Sequence, residues 1–149
     1  EEFSSPVVMI KKTGDWRFCI DYRKLNDVTV KDSHPLPRID ETLQRLEGGR
    51  WFTTLDLQSG YWQVPLHPDS RSKTAFCTSQ GLWQFTVMPF GLTNAPATFQ
   101  RIMRTLLKPL MDKGVVEVYL DDVLLHTSTF KEHLQYLREL FVLLRDAGL

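Results

Sequence analysis

The chain has 149 residues, of which 42% are hydrophobic and 24% are charged, and its 18 basic side chains balance its 18 acidic ones. This length suits one domain, and the composition is that of an ordinary globular protein without the basic excess typical of nucleic-acid binders. No apolar run approaches the roughly 20 residues that cross a bilayer, so we expect no membrane association.

The first predicted element is a β-hairpin with a cationic tip. Two apolar runs, at residues 7–10 and 18–20, flank a glycine-containing turn. Lys11, Lys12 and Arg17 are placed near the tip of this hairpin. Such cations either protect a solvated sheet edge or hold a phosphate group, and the hairpin alone leaves both interpretations open.

Next come a helix and a strand that ends in an acid. A helical spacing of apolar residues begins at Ile39 and is stopped by the glycines at residues 48 and 49. The run Trp51–Leu55 predicts a strand, and Asp56 follows it as either a site residue or a helix cap. Two paired strands are then predicted at residues 73–78 and 82–87.

Two amphipathic helices are predicted around a second hairpin. The first opens at Pro96, and its predicted buried stripe is Phe99, Ile102, Met103, Leu106, Leu107 and Leu110. The second begins with a capping box at Thr129–Glu132, and its predicted apolar face is Leu134, Leu137, Phe141 and Leu144. This order of elements predicts an α+β fold with an antiparallel sheet.

The stretch Tyr119-Leu120-Asp121-Asp122 is the most informative one in the chain. Apolar, β-branched runs flank it, which predicts two strands joined at an acidic tip. Two carboxylates about 4 Å apart repel by roughly 4 kcal/mol at an effective dielectric near 20, and a bound divalent cation reverses that sign. A solvated turn is the alternative. Together with Asp56, however, the pair supplies the acids that two-metal phosphoryl transfer requires.

Several motifs resemble one known family when they are taken in order. They are Ser5-Pro6-Val7-Val8, residues 16–26, Phe52-Thr53-Thr54-Leu55-Asp56-Leu57, residues 61–65, Lys73-Thr74-Ala75-Phe76, residues 88–100 and Tyr119-Leu120-Asp121-Asp122. This series resembles the reverse transcriptases of LTR retrotransposons, most closely the Ty3/gypsy type and more distantly the retroviral enzymes. The resemblance covers nearly the whole chain.

The resemblance implies the fingers and palm of a right-hand polymerase, with an antiparallel palm sheet backed by helices. It assigns residues 1–30 and 64–94 to the fingers, and residues 31–63 and 95–149 to the palm. The thumb, the connection and RNase H of the family are expected outside this segment, as the remainder of a retroelement polyprotein.

The resemblance also implies roles for particular residues. Asp56, Asp121 and Asp122 match the catalytic acids that hold two Mg²⁺ ions, with Mn²⁺ as a substitute. Lys12 (or Lys11, depending on the alignment of the hairpin) and Arg17 match residues that contact the triphosphate of the incoming dNTP.

Four further positions are assigned by the same comparison of motifs. Tyr61 matches an aromatic gate beneath the sugar, where a packed ring leaves no room for a 2′-hydroxyl. Phe90 matches a nucleotide-binding position that is glutamine in retroviral enzymes and usually phenylalanine in the Ty3/gypsy group. Tyr119 and Gly91 are assigned to the template–primer, although backbone geometry explains Gly91 better.

The implied function is an RNA-directed DNA polymerase that adds dNTPs to a primer 3′-hydroxyl on an RNA or DNA template. The alternatives are a non-catalytic, retroelement-derived domain for nucleic-acid binding or scaffolding and, less favoured, a sheet-based RNA-binding module. The family further implies an intracellular location, in cytoplasmic virus-like particles or the nucleus.

Overall fold

The structure, a computed structural model, describes residues 3–149 and divides into two compact units. The first unit contains the chain up to Asp32 together with Tyr61–Ala95, and the second contains Ser33–Gly60 and Pro96–Leu149. In chain order, the strands and helices are β1 (Val7–Lys12), β2 (Asp15–Ile20), α1 (Arg23–Val28), α2 (Ile39–Arg45), β3 (Trp51–Asp56), α3 (Pro68–Arg71), β4 (Phe76–Thr78), β5 (Gly81–Trp83), α4 (Ala95–Asp112), β6 (Val116–Tyr119), β7 (Asp122–Thr127) and α5 (Phe130–Asp146).

The first unit contains two small antiparallel sheets, β1–β2 and β4–β5. The predicted first hairpin is confirmed, and its turn is the tight pair Thr13-Gly14, whose φ angles of +41° and +97° are typical of a type I′ turn. The predicted pair after Asp56 is shorter than expected, because a 3₁₀ helix occupies Ser72–Thr74 and delays the first strand. Helices α1 and α3 were not predicted.

The second unit is built on a three-stranded antiparallel sheet of order β3-β7-β6. One face of this sheet carries a row of buried aliphatic side chains, including Val118, Val123 and Leu125. Helix α5 is fixed to that face by His133, whose ring nitrogens lie 2.7 Å from Thr53 Oγ1 and 2.9 Å from Thr127 Oγ1. The predicted hairpin and the strand before Asp56 are both confirmed.

The buried faces of the two long helices differ in part from the prediction. In α4 the fully buried residues follow one line along the helix, and Ile102 lies outside it with 37% of its surface exposed. In α5 the buried residues are His133, Leu140 and Leu144, whereas Leu134 and Phe141 are about half exposed. Because His133 makes hydrogen bonds to two strands, it lies on the buried face of α5. That face is therefore turned relative to the one that apolar spacing alone predicts. The capping bond is confirmed, since Thr129 Oγ1 accepts from the Glu132 N–H at 3.3 Å.

Among the helices within residues 3–149, none combines the length and apolar character needed to cross a membrane.

Candidate active site

The predicted acids of the second unit lie at one end of its sheet. Asp122 is the register partner of both Asp56 on β3 and Tyr119 on β6, so the three residues form a row across the strands. Because directly opposite residues project to the same face of an antiparallel sheet, both carboxylates and the tyrosine ring share one face. All three side chains are exposed to solvent.

Asp121 lies in the two-residue turn beside this row. The turn consists of Leu120 and Asp121, and Leu120 has a left-handed φ of +56°. The Asp121 carbonyl accepts a hydrogen bond of 3.2 Å from the Leu57 N–H, the first residue after β3. The structure therefore brings the predicted acids of two separate sequence segments to one sheet end.

The charges of the three acids interact. The pKa of Asp122 is raised above its ordinary value. Partial loss of hydration is the largest cause, and the negative charges of Asp121 and Asp56 add to it. Within residues 3–149, no three His, Cys, Asp or Glu side chains already converge as ligands for a metal ion. The acids therefore form an electrostatic cluster without being a preformed ligand set.

A divalent cation fits this cluster chemically. Hard carboxylate oxygens are the ligands that Mg²⁺ prefers, and Mg²⁺ binds through a few carboxylates together with substrate phosphates and water, without a closed protein cage. A cation would also offset the repulsion from Asp121 and Asp56, which adds to the loss of hydration in raising the pKa of Asp122.

In the first unit, the hairpin register determines which cations share a face. Lys12 is the partner of Asp15 and Arg17 is the partner of Ile10, so Lys12 and Arg17 lie on the same face as diagonal neighbours. Lys11 lies on the opposite face, where its Nζ is 6.0 Å from the centre of a tryptophan ring. The geometry therefore pairs Arg17 with Lys12 and separates it from Lys11.

The predicted nucleotide-binding aromatics also meet within the first unit. The rings of Tyr61 and Phe90 have centroids 5.0 Å apart, and Phe90 is about half exposed. Gly91 follows with a φ of +93°, a conformation that L side chains rarely adopt. Its carbonyl accepts a hydrogen bond of 2.8 Å from Asn26 Nδ2, while Asn26 Oδ1 accepts another of 2.8 Å from the Thr93 N–H.

Sequence reasoning missed two amides that support these sites. Asn26 holds the loop after Phe90, and Gln100 on α4 bonds to the backbone of the acidic hairpin. Gln100 had a detectable signal, because it is an amide within the otherwise apolar stripe of a helix. Buried amides require hydrogen-bond partners, which makes such a residue a candidate for holding backbone.

A family comparison matches nearly the whole chain. The family described as "Reverse transcriptase (RNA-dependent DNA polymerase)" matches residues 9–149. A Retrovirus-related Pol polyprotein from transposon 297 of Drosophila melanogaster is 43% identical over 99% of this chain and 14% of the polyprotein. An RNA-directed DNA polymerase homolog of Oenothera berteroana is 48% identical over 82% of this chain and 87% of that relative.

The fold has a close counterpart among solved structures. The foamy viral protease-reverse transcriptase in complex with an RNA/DNA hybrid superimposes with a TM-score of 0.88 at 32% identity, over 97% of this chain and 19% of that chain. The chain thus spans less than a fifth of the transposon 297 polyprotein and about a fifth of the foamy viral protein. The predicted α+β fingers-and-palm fold and the resemblance to Ty3/gypsy-type reverse transcriptases are confirmed.

Proposed function

Because this chain belongs to the reverse transcriptase (RNA-dependent DNA polymerase) family, we propose that it is the catalytic core segment of an RNA-directed DNA polymerase. The reaction is attack of a primer 3′-hydroxyl on the α-phosphate of a dNTP, with pyrophosphate as the leaving group. The observation that carries the proposal is the register pair Asp56–Asp122 with Asp121 in the adjoining turn. This arrangement supports the proposal because the three acids lie together at one end of the sheet β3-β7-β6.

Asp56, Asp121 and Asp122 are proposed to hold two Mg²⁺ ions, with Mn²⁺ as a substitute. Bound divalent cations supply charge stabilisation to the attacking and leaving oxygens of an in-line displacement. The role of the protein is to hold the acids: β3 fixes Asp56, β7 fixes Asp122, and the Leu57 N–H anchors the backbone of Asp121.

In the first unit, Lys12 and Arg17 are proposed to bind the triphosphate of the dNTP. Their shared face allows both cations to reach one anion, and the arginine fork suits phosphate oxygens. Tyr61 is proposed to contact the sugar, with its ring supported by Phe90 at 5.0 Å. A ring held in this way excludes a 2′-hydroxyl by its volume.

The proposed macromolecular partner is a template–primer of RNA or DNA, and Tyr119 and Gly91 are its proposed contacts. Support comes from the foamy viral relative, which is bound to an RNA/DNA hybrid. The transposon 297 polyprotein and the foamy viral protein are much longer than this chain, which spans 14% of the first and 19% of the second. We therefore propose that it functions together with thumb, connection and RNase H segments. Its proposed location is cytoplasmic virus-like particles or the nucleus.

The test compares Asp121→Asn with Asp40→Asn, a matched control in an exposed surface position on α2. We expect Mn²⁺ to bind the wild-type chain and Asp40→Asn, and to bind Asp121→Asn at least about tenfold more weakly because one charged ligand is lost. Incorporation of dNTP on a primed RNA template should be retained in Asp40→Asn and lost in Asp121→Asn. Incorporation that survives Asp121→Asn, or a wild-type chain that does not bind Mn²⁺, would overturn the proposal.

A further inference from the structure

The tip of the acidic hairpin contains a conformation that its sequence does not favour. Leu120 has a φ of +56° and Asp121, the second central residue of the turn, has a negative φ. A positive φ at the first central position only is the type II′ pattern, which favours glycine there. A leucine at this position is strained, so neighbouring groups must hold the turn that carries Asp121 and leads into Asp122.

Gln100 supplies two of the bonds that hold this turn. Its side chain is fully buried, its Nε2 donates to the Val118 carbonyl at 3.0 Å, and its Oε1 accepts from the Leu120 N–H at 2.6 Å. The hairpin closes at the pair Tyr119–Asp122, so the Leu120 N–H points away from the strand ladder. One amide therefore binds the backbone on both sides of Tyr119, which requires a donor and an acceptor on the same side chain.

Two further contacts complete the support of the tip. The Leu57 N–H binds the Asp121 carbonyl, and Gly60 is so close that an added Cβ would lie 3.2 Å from Asp121 Cβ and 3.0 Å from Phe99 Cζ. Phe99 is the residue before Gln100 on α4 and is itself fully buried. These contacts use the carbonyl and the Cβ atom of Asp121 and do not involve its carboxylate.

We propose that Gln100 is a positioning residue for the acids: its amide holds Leu120 in the left-handed conformation and thereby fixes the placement of Asp121 and Asp122. This inference rests on the proposed function only where it concerns catalysis. A space-filling role in the core does not explain why both the Nε2 and the Oε1 of Gln100 bond to the backbone of the acidic hairpin.

The direct test is amide hydrogen exchange at Leu120. In the wild-type chain we expect this N–H to be protected, and in Gln100→Met we expect exchange about 10- to 100-fold faster, the range for loss of one buried hydrogen bond. Gln135→Met, on the exposed surface of α5, is the control and should change nothing. An unprotected Leu120 N–H in the wild-type chain overturns the proposal without any substitution, so the test does not depend on how well a variant folds.

The second test asks whether the turn conformation is what Gln100 supplies. Gln100→Met should weaken Mn²⁺ binding about tenfold, and adding Leu120→Gly should recover part of that loss, because glycine adopts the positive φ without strain. In polymerase assays Gln100→Met alone should lower kcat and leave KM for dNTP unchanged. Additive effects of the two substitutions overturn the proposal, because a space-filling role of Gln100 would not be rescued by glycine.

The two tests separate this inference from the proposed function. A wild-type chain that does not bind Mn²⁺ overturns the proposed function and the catalytic part of the inference. Faster exchange at Leu120 in Gln100→Met would still support the part that concerns the turn.

Discussion

Replacement of Arg45 by methionine should destabilise the second unit by leaving a buried carboxylate without its cation. Glu117 on β6 has a side chain only 8% exposed, and Arg45 Nε lies 3.0 Å from each of its carboxylate oxygens. At that distance the attraction is about 5 kcal/mol at an effective dielectric near 20, and loss of one partner of a buried pair costs about 3–5 kcal/mol. Because the Arg45 side chain is 48% exposed, we expect a smaller loss, of about 2 kcal/mol.

The loss should depend on pH because a histidine faces the same carboxylate. His126 Nε2 lies 3.8 Å from Glu117 Oε1 and has no hydrogen-bond partner among the described atoms. Burial lowers the pKa of His126, the nearby Glu117 raises it, and Arg45 lowers it. In the wild type the folded pKa is below the unfolded value of about 6.5, so His126 costs stability as pH falls through that value.

Removal of Arg45 changes this balance. The positive charge of Arg45 disfavours protonation of His126, so the folded pKa of His126 should rise when Arg45 is removed. A protonated ring can then pair with Glu117. The cost of Arg45→Met should therefore be full at pH 8 and smaller at pH 5.5. Urea denaturation of wild type and variant at both pH values measures this difference.

The control is Arg38→Met, which removes an exposed pair with Asp40 at 3.6 Å. This substitution should change stability by less than about 0.5 kcal/mol at either pH. The reasoning is refuted if Arg45→Met costs no more than Arg38→Met at pH 8, or if its cost is the same at both pH values.

Two further predictions concern the first unit. Tyr61→Val removes the ring that packs on Phe90 and should reduce discrimination between dCTP and CTP by about tenfold or more, whereas Tyr61→Phe should retain it. Discrimination is measured as kcat/KM for dCTP divided by kcat/KM for CTP. An equal value for the wild type and Tyr61→Val would contradict the role of Tyr61 as a gate. Tyr22→Phe leaves the buried Thr74 carbonyl without the hydrogen bond of 2.9 Å from the tyrosine hydroxyl. It should lower the free energy of unfolding by about 1–2 kcal/mol in urea denaturation, and a change below about 0.3 kcal/mol would show that water replaces the bond.

Local chemistry explains why much of the fold could be predicted from the sequence. Three of the predicted features depend only on a few neighbouring residues: the Thr13-Gly14 turn, the capping bond at Thr129 and the strand ending at Asp56. Period-two and helical patterns then give the element types, and an ordered series of motifs gives the family. For these features the local preference and the tertiary structure agree.

Other features depended on contacts that lie far apart in the sequence. Apolar spacing predicted Leu134 and Phe141 on the buried face of α5, but the hydrogen bonds of His133 to two different strands decide the rotation of that helix. The cations of the first hairpin are a local case: Lys11 and Lys12 could not be told apart before the register of β1 and β2 was known, because that register sets the face on which each side chain projects.

The sequence by itself determined the family and most element types, because these are encoded in residue types and in short-range order, and it predicted the three acids as site residues. Only the tertiary structure decided that Asp56 faces Asp122 and that Leu120 is held in a left-handed conformation by Gln100. The physical reason is that strand register and side-chain hydrogen bonds join residues 20 or more positions apart, and no local preference specifies such pairings.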